Sequence, residues 1–585
     1  MIYWTSVALI LISFMLLKKN KTEQNFWRSI VMALISYECY LCMIAGIMTI
    51  VHIPVDTYTT ACVNGIIAFA LLIRTWKKKE VQSYYIKVED TVFIIALMIV
   101  ITYIFLKRFS TNFNIVFETS DPGTHLKMAM NFANTKAVDG LYIGQLINGL
   151  TIESLQRWFS GVYIYKSFII QYGINFFLSG AVFWVALEKY ANSIGLKIGG
   201  YILTLIYILG YPYNDMLYGF VYLQMTITVI CYIVILMQDY MAQDINSKLG
   251  GCLLANACLT VSIGYTLFAP PVYISVLLLI MYKAYKEGWL KKQHKLWFDY
   301  RFILNGLYIF AIPTFLTIWY ILIQPKLNGT NTDYIGNLVV EGAIYRNLYS
   351  DFLIYIPVAL YAIIKGLKKR ELNLLMTLTP IYLIYYAFFL YRMLKNQVST
   401  YYFYKLNYLM WMILLLDFYI GVKYLIKYEK TILSCILIGD LLIAGIYISG
   451  KENDVQQENI NKLPFAEANT FFQIYEFNKV LENRPDIVSN ALIELSDIVE
   501  KEYKNQEVYF IGYWRDLYWF EALTNQRFPN LNLVVYNDLL QQFLDGQLGR
   551  YIIVQKDLPE LENDKQTILN RIIYENDYGY ILENK

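Results

Sequence analysis

The chain has 585 residues, of which 57% are hydrophobic and only 16% are charged. A soluble protein of this size could not bury so much apolar surface, so the composition excludes that class and predicts a polytopic α-helical membrane protein. The formal net charge of +3 carries little information by itself, and no nucleic-acid partner is expected.

The first apolar segment, 2–17, has no basic residue before it, and Lys18, Lys19 and Lys21 follow it. This arrangement predicts a first membrane helix that starts outside the cell, and it argues against a cleaved signal peptide. About fourteen apolar segments are candidate membrane helices. They lie at 2–17, 29–51, 57–73, 91–106, 162–187, 199–212, 217–237, 251–267, 269–284, 303–324, 351–364, 373–391, 405–423 and 431–449.

Basic residues alternate between the predicted loops. With the N-terminus outside, lysines and arginines cluster in the inside loops, for example near 74–79 and 365–370, whereas the short outside loops carry none. Lys107 and Arg108 run against this bias, but long loops obey it less well. The positive-inside rule therefore places both termini and the long loop 107–160 on the outer face of the cell membrane.

Two short amphipathic patterns occupy the loop 107–160, the longest between predicted helices. The first predicts a helix within 126–136, and the second predicts a helix that starts at a Thr151 cap. Their apolar faces are formed by Leu126, Ala129, Met130 and Ala133, and by Ile152, Leu155, Trp158 and Phe159. Both helices are expected to lie in the plane of the membrane interface.

A polar motif precedes the first of these helices and contains Glu118, Asp121 and His125. Asp121 and His125 are four residues apart, so on a helix they share one face. With Pro122 after it, Asp121 suits an N-cap. The alternative is a general base, because partial desolvation raises the pKa of a carboxylate. Glu118 is expected to be a solvated carboxylate, and His125 a hydrogen-bonding, structural or metal-site residue.

A second constellation lies on the same predicted side of the membrane. Arg392, Lys395 and Lys405 break the charge rule, and a lipid phosphate would explain why they are there. The alternative is that these side chains snorkel at the interface. The neighbouring tyrosines could line a sugar or isoprenoid groove or belong to the aromatic belt; they are Tyr401, Tyr402 and Tyr404.

Three acidic residues fall inside predicted membrane helices: Glu38, Asp417 and Asp440. An ionisable group at such depth is a functional candidate by default. These three are scattered along the chain, however, so each is predicted to be a packing residue that is hydrogen-bonded to a neighbouring helix.

Beyond residue 450 the composition changes. A polar linker at 451–461 is followed by helical patterns and then by alternating strands and helices, which predict a small and mostly parallel sheet. The predicted strands are 507–512, 531–536, 550–554 and 578–582, and the helices lie near 515–525, 537–547 and 560–574. The chain therefore divides into a membrane domain, 1–450, and an extracytoplasmic α/β domain, 451–585, with a guiding or assembly role.

Two motifs resemble those of the C-type (GT-C) membrane glycosyltransferases. Asp121-Pro-Gly-Thr-His125 is similar to an Asp-x-x-x-His version of the family's acidic loop motif, and Tyr401-Tyr-Phe-Tyr-Lys405 is similar to its late aromatic and basic segment. The many helices of uneven length, the large outside loop and the C-terminal domain on the same side also fit. In that family the acidic loop normally follows the first helix, whereas here it follows about the fourth.

The resemblance implies a bacterial cell-envelope enzyme that takes a sugar from a polyprenyl-phosphate donor by an inverting mechanism. The acceptor would be an envelope glycopolymer, such as a cell-wall polysaccharide or teichoic acid. Asp121 would be the general base, and the donor phosphate would bind to Arg392, Lys395 and Lys405. Glu118, His125 and the three tyrosines would contact substrate. A divalent metal, Mg²⁺ or Mn²⁺, stays open, with Glu118, Asp121 and His125 as ligands.

Two alternatives remain. A polysaccharide polymerase or ligase also joins polyprenyl-linked sugars outside the cell, but such enzymes usually have arginine-rich outer loops, and outside arginines are few here. A transporter or flippase of lipid-linked saccharides would be supported by paired halves with matching broken helices. The sequence contains no convincing internal repeat of that kind.

Overall fold

Long apolar helices make up most of the described chain. The computed structural model describes residues 1–16, 23–77, 83–117, 120–210, 216, 219–245, 247–286, 300–328, 338–339, 355–369, 377–428, 488–525, 536–559 and 561–584. The helices of its first part are α1 (Ile2–Met15), α2 (Phe26–Ile50), α3 (Thr57–Lys77), α4 (Val88–Phe109), α5 (Asp121–Thr135), α6 (Ile143–Leu155), α7 (Tyr165–Glu188), α8 (Ile194–Leu209), α9 (Val221–Met241), α10 (Ser247–Gly264), α11 (Ala269–Lys286), α12 (Tyr300–Ile318), α13 (Gln324–Leu327), α14 (Ile356–Lys369), α15 (Leu378–Leu394) and α16 (Thr400–Tyr428).

Within the described residues, eight helical segments are long and apolar enough to cross a membrane, and four shorter apolar helices accompany them. Every predicted apolar segment coincides at least in part with a helix, except 431–449, which lies outside the described residues. The expected number of about fourteen spans is not confirmed, because α1, α8, α10 and α15 are shorter than the roughly 20 residues that cross a bilayer unaided. The orientation in the membrane stays a prediction.

The central helix of the bundle is α9, whose residues from Val221 to Tyr240 are all buried. A helix that is apolar on every side must be surrounded by others, and α7 and α2 pack beside it. Ser179 of α7 and Thr228 of α9 lie within hydrogen-bond distance of each other. The C-terminal ends of the same two helices meet at the guanidinium of Arg28, 2.8 Å from Asp239 and 3.6 Å from Glu188. The two helices therefore run in the same direction.

The acidic residues inside the helices have different surroundings. Asp417 of α16 accepts a hydrogen bond of 3.0 Å from the Thr379 hydroxyl of α15, which confirms the packing role predicted for it. Glu38 of α2 is buried beside Cys39. Asp440 lies outside the described residues.

The C-terminal part contains a four-stranded sheet among its described residues. Its elements are α17 (Asn490–Glu502), β3 (Val508–Ile511), α18 (Trp514–Thr524), α19 (Tyr536–Leu544), β4 (Tyr551–Gln555), α20 (Leu561–Ile568), β5 (Ile572–Glu575) and β6 (Gly579–Glu583). Two further short strands, β1 (Glu23–Asn25) and β2 (Ser83–Tyr85), pair in parallel in the membrane part.

The prediction of a mostly parallel sheet is wrong for the described strands. Their order is β3-β4-β6-β5, and only β3 and β4 are parallel, whereas β6 pairs antiparallel with both β4 and β5. The helix predicted for 560–574 ends at Ile568, because Ile572–Glu575 forms β5 and pairs antiparallel with β6 across a turn at Asn576. Its side-chain oxygen accepts from the backbone amides of Tyr578 and Gly579. Most of the predicted strand 531–536 lies outside the described residues.

The C-terminal part packs directly on the segment that leads into α5. The Phe117 and Trp519 rings stack with their centroids 5.8 Å apart and 7° between their planes. Nearly two turns into α5, the Lys127 ammonium contacts the carboxylate of Glu521, which is 1% exposed. One hydrophobic core therefore runs from the membrane helices into the C-terminal sheet.

Candidate active site

The helix α5 begins at Asp121, one residue earlier than an Asp121 cap requires. Ser120 occupies the cap position, its side chain makes no capping hydrogen bond, and Pro122 lies in the first turn. The N-cap role considered for Asp121 is therefore wrong. Its carboxylate lies at the positive end of the helix dipole, where a negative charge is stabilised.

The second helix of the loop lies earlier than predicted. The helix α6 spans Ile143–Leu155, and Thr151 lies inside it, where its hydroxyl is 2.7 Å from the side-chain oxygen of Gln171 in α7. Thr151 is therefore not a cap, and Trp158 lies beyond the end of the helix. Nine of the thirteen helix residues are buried, so α6 is packed between other helices instead of lying on the interface. Gly149 permits this packing, because a Cβ there would lie 2.2 Å from the Phe132 ring.

The first turn of α5 packs against a glycine that lies just before α9. Gly219, just before α9, has φ of +106°, and a Cβ at this residue would lie only 1.9 Å from Cγ of Pro122. The backbone at Gly219 thus packs directly against the residue that follows Asp121. A larger side chain at position 219 would have to displace the start of α5.

The His125 ring lies one turn along α5 from Asp121. It contacts the Tyr222 ring edge-on, with centroids 4.6 Å apart, and its Nδ1 is buried without a hydrogen-bond partner among the described residues. Burial lowers the pKa of His125 to about 4, although the Asp121 carboxylate and a hydrogen bond to the Gly219 backbone act in the opposite direction. The ring is therefore neutral near pH 7, which suits a hydrogen-bonding role beside Asp121.

We expect His125 to make the folded protein sensitive to acid. Its pKa in the folded state is below the ordinary value of about 6.5, so between about pH 6.5 and pH 4 the unfolded chain binds more protons than the folded one. Stability should fall as the pH is lowered through this window. His125→Gln should lose less of its apparent melting temperature between pH 7 and pH 4.5 than the unchanged chain does.

The matched control is His52→Gln, because His52 lies at an exposed position between α2 and α3. Apparent melting temperatures in detergent would be measured at several pH values for all three proteins. An identical dependence on pH for His125→Gln and the unchanged chain would contradict the expectation.

Lys405 lies in the first turns of α16, is only 8% exposed, and is surrounded by aromatic rings. Its Nζ is 4.1 Å from the centroid of Tyr401, and three other ring centroids lie within 6 Å: Tyr265, Phe220 and Tyr402. Rings around a cation stabilise it through their negative faces. Asp121 is the charged neighbour that acts on Lys405, but the two groups are too far apart to form an ion pair.

The other predicted phosphate ligands lie elsewhere in the described chain. Arg392, in the last turn of α15, donates from Nε to Gln397 at 3.1 Å, and Lys395 is exposed just after that helix. Neither is among the charges that act on His125 or on Lys405 in the part of the chain that the structure describes. The structure thus brings Lys405 together with Asp121 but does not bring Arg392 or Lys395 to them.

Of the three predicted tyrosines, two lie beside Lys405 and one does not. Tyr401 and Tyr402 flank the Lys405 ammonium, and Asp121 acts electrostatically on Tyr402. Tyr404 is turned inward and packs edge-on against Tyr408 at 5.7 Å. Glu118 lies outside the described residues, so its predicted contact with substrate stays a prediction.

Across the described ranges, no group of three or more His, Cys, Asp and Glu side chains could hold a metal ion. The metal set of Glu118, Asp121 and His125 therefore has only its last two members in the described chain. Four residues around the site were missed from the sequence: Gly219, Phe220, Tyr222 and Tyr265. In the sequence, only their position points to the site. They lie in or beside short loops that are predicted to be on the outer face, the same face as the loop 107–160.

No protein-family model matches the chain, and no curated protein matches it. Among solved structures, the chain is similar to the oligosaccharyltransferase of Archaeoglobus fulgidus in its apo form, at 10% sequence identity and a TM-score of 0.41. The alignment covers 79% of this chain and 69% of that one.

Proposed function

We propose that the protein transfers a sugar from a polyprenyl-phosphate donor to a saccharide acceptor of the cell envelope, on the outer face of the membrane. Asp121 is the general base, and Lys405 holds the donor phosphate. The acceptor is a glycopolymer, such as a cell-wall polysaccharide or teichoic acid. His125, Tyr401 and Tyr402 line the substrate site.

One observation carries this proposal. Asp121 and the buried Lys405 are electrostatic neighbours that do not pair with each other. A surface lysine that only snorkels would hold its ammonium in water, whereas Lys405 is buried among aromatic rings and is acted on by the Asp121 carboxylate without pairing with it. A base and a phosphate-binding cation have to be separated in this way, because the reacting sugar lies between them.

The reaction is an inverting displacement at the anomeric carbon. The Asp121 carboxylate takes the proton of an acceptor hydroxyl, whose oxygen forms a bond to the anomeric carbon. The bond between that carbon and the phosphate oxygen breaks at the same time, and the phosphate leaves with the electron pair. Lys405 stabilises the negative charge that develops on the leaving phosphate, and the aromatic rings around it exclude water.

We expect Lys405→Ala to weaken binding of a polyprenyl-phosphate-linked sugar by about 10- to 100-fold, the loss typical of one charged hydrogen bond. The lysine at the end of α15 offers a matched control, so Lys395→Ala should leave the affinity unchanged. Binding would be measured with purified full-length protein in detergent. Sugar transfer by the unchanged protein to an envelope glycopolymer would be followed in parallel. Equal donor affinities of the Lys405→Ala variant and the unchanged protein would remove Lys405 from the donor site.

A further inference from the structure

Three aromatic side chains lie together at the start of α18, on the C-terminal part of the chain. Tyr513 is 45% exposed and Trp514 is 56% exposed, although most of the helix that follows is buried in the core. The ring of Trp514 meets that of Tyr518, one turn along, at 87° and a centroid distance of 6.0 Å. We call these two nearly perpendicular rings the corner; Trp514 is its exposed member and Tyr518 is half-buried.

Hydrogen bonds to the sheet hold the backbone that carries these rings. Just before α18, the backbone amide of Tyr513 donates to the side-chain oxygen of Gln555, 3.0 Å away, at the end of the neighbouring strand β4. The Tyr578 hydroxyl lies 3.1 Å both from that oxygen and from the buried carboxylate of Asp516. These contacts fix the first turn of α18, so the exposed rings need little further ordering when a ligand binds.

The corner lies toward the end of α5 that carries Asp121. Gly123 of α5 packs against the backbone of α18, where its Cβ would lie 3.3 Å from the carbonyl carbon of Tyr518. Farther along both helices, Lys127 contacts Glu521. Because these contacts advance in the same direction along the two helices, Trp514, one turn before Tyr518, lies toward the N-terminal end of α5, the end at which Asp121 is the first residue.

We propose that Trp514 and Tyr518 form a saccharide-binding subsite, on which a pyranose unit of the acceptor stacks while a neighbouring unit reaches Asp121. Flat aromatic rings bury the apolar face of a sugar and leave its hydroxyls to water. The identification of this saccharide as the acceptor rests on the transfer reaction proposed above. The binding of a saccharide does not depend on that reaction.

The surroundings of Trp514 favour a sugar over a lipid surface. A helix that lies on a membrane presents a continuous apolar stripe. On α18 the apolar residues Leu517, Phe520 and Leu523 are buried in the core instead. The residues that follow Trp514 are Arg515, which is half-buried, and Asp516, so a charged pair adjoins the exposed rings.

The test measures saccharide binding by the full-length protein in detergent, with maltohexaose and cellohexaose as neutral pyranose probes. The unchanged chain should bind at least one of them, and Trp514→Ala should weaken that binding about tenfold. Trp514→Phe keeps a stacking ring and should retain most of the affinity. Trp158→Ala is the matched control, because Trp158 is 80% exposed but lies just beyond α6.

Three results would overturn the subsite. They are no binding of either probe by the unchanged chain, equal binding by Trp514→Ala, and a Trp514 fluorescence component that brominated lipids quench in nanodiscs, which would assign the corner to the bilayer. Asp121→Asn separates this proposal from the reaction, since it should keep saccharide binding while it loses transfer. Full transfer activity in Asp121→Asn would refute the catalytic role of Asp121 without changing the binding result.

Discussion

Asp121→Asn should lower the rate of sugar transfer by about 10²- to 10⁴-fold, the usual contribution of a general base. Asparagine has the shape of aspartate but cannot take up the proton of an acceptor hydroxyl. The first turn of α5 should persist, because Ser120 and not Asp121 occupies the cap position. Loss of the charge at the helix N-terminus should reduce stability by only about 0.3–1 kcal/mol. Donor affinity should remain close to that of the unchanged protein.

Asp139→Asn provides the control, since Asp139 is an exposed carboxylate in the loop between α5 and α6. Turnover would be measured with a polyprenyl-phosphate-linked sugar, and folding by the apparent melting temperature. Asp139→Asn should transfer sugar at the unchanged rate. If Asp121→Asn also retained its rate, Asp121 would be no more than a structural carboxylate at the start of α5.

The relation between Asp121 and His125 could be predicted from the sequence, because residues four apart on a helix share a face. The position of Lys405 near Asp121 could be predicted only in part. Lys405, Arg392 and Lys395 had the same sequence signal, a positive charge on the predicted outer side. What separates them is burial among Phe220 and Tyr265, which come from elements more than 100 residues earlier. Tertiary packing, not spacing, sets that difference.

The helices of the loop illustrate a second limit. The pattern placed a helix after Thr151 because Ile152, Leu155, Trp158 and Phe159 repeat at helical spacing. In the structure Thr151 lies within α6 and contacts Gln171 of α7, so a polar residue that resembles a cap is satisfied inside the bundle. Amphipathic patterns identify helices that face water on one side. They fail for a helix such as α6, which is surrounded by other helices.

Gly219→Ala should impair the protein more than any other single methyl group added near the site. The backbone φ of +106° is unfavourable for alanine, by about 1–3 kcal/mol. The new Cβ would also lie 1.9 Å from Cγ of Pro122, inside van der Waals contact. Since Pro122 follows Asp121 directly, relief of this collision has to move the start of α5 and, with it, the Asp121 carboxylate that we propose as the base. We therefore expect both a lower melting temperature and a lower rate in the folded fraction.

Gly140→Ala is the control that separates the effect of a positive backbone φ from the effect of the contact with Pro122. Gly140 also has a positive φ, +56°, but nothing lies within 4 Å of a Cβ at that position. Its substitution should reduce stability by about 1–2 kcal/mol through the backbone alone and leave the rate per folded molecule unchanged. The decisive quantity is turnover divided by the folded fraction, measured for both variants. A Gly219→Ala protein that transfers sugar as fast as Gly140→Ala would show that the contact with Pro122 does not position Asp121. A reduced rate in Gly219→Ala alone would connect a loop before α9 to the carboxylate on α5, through one proline ring.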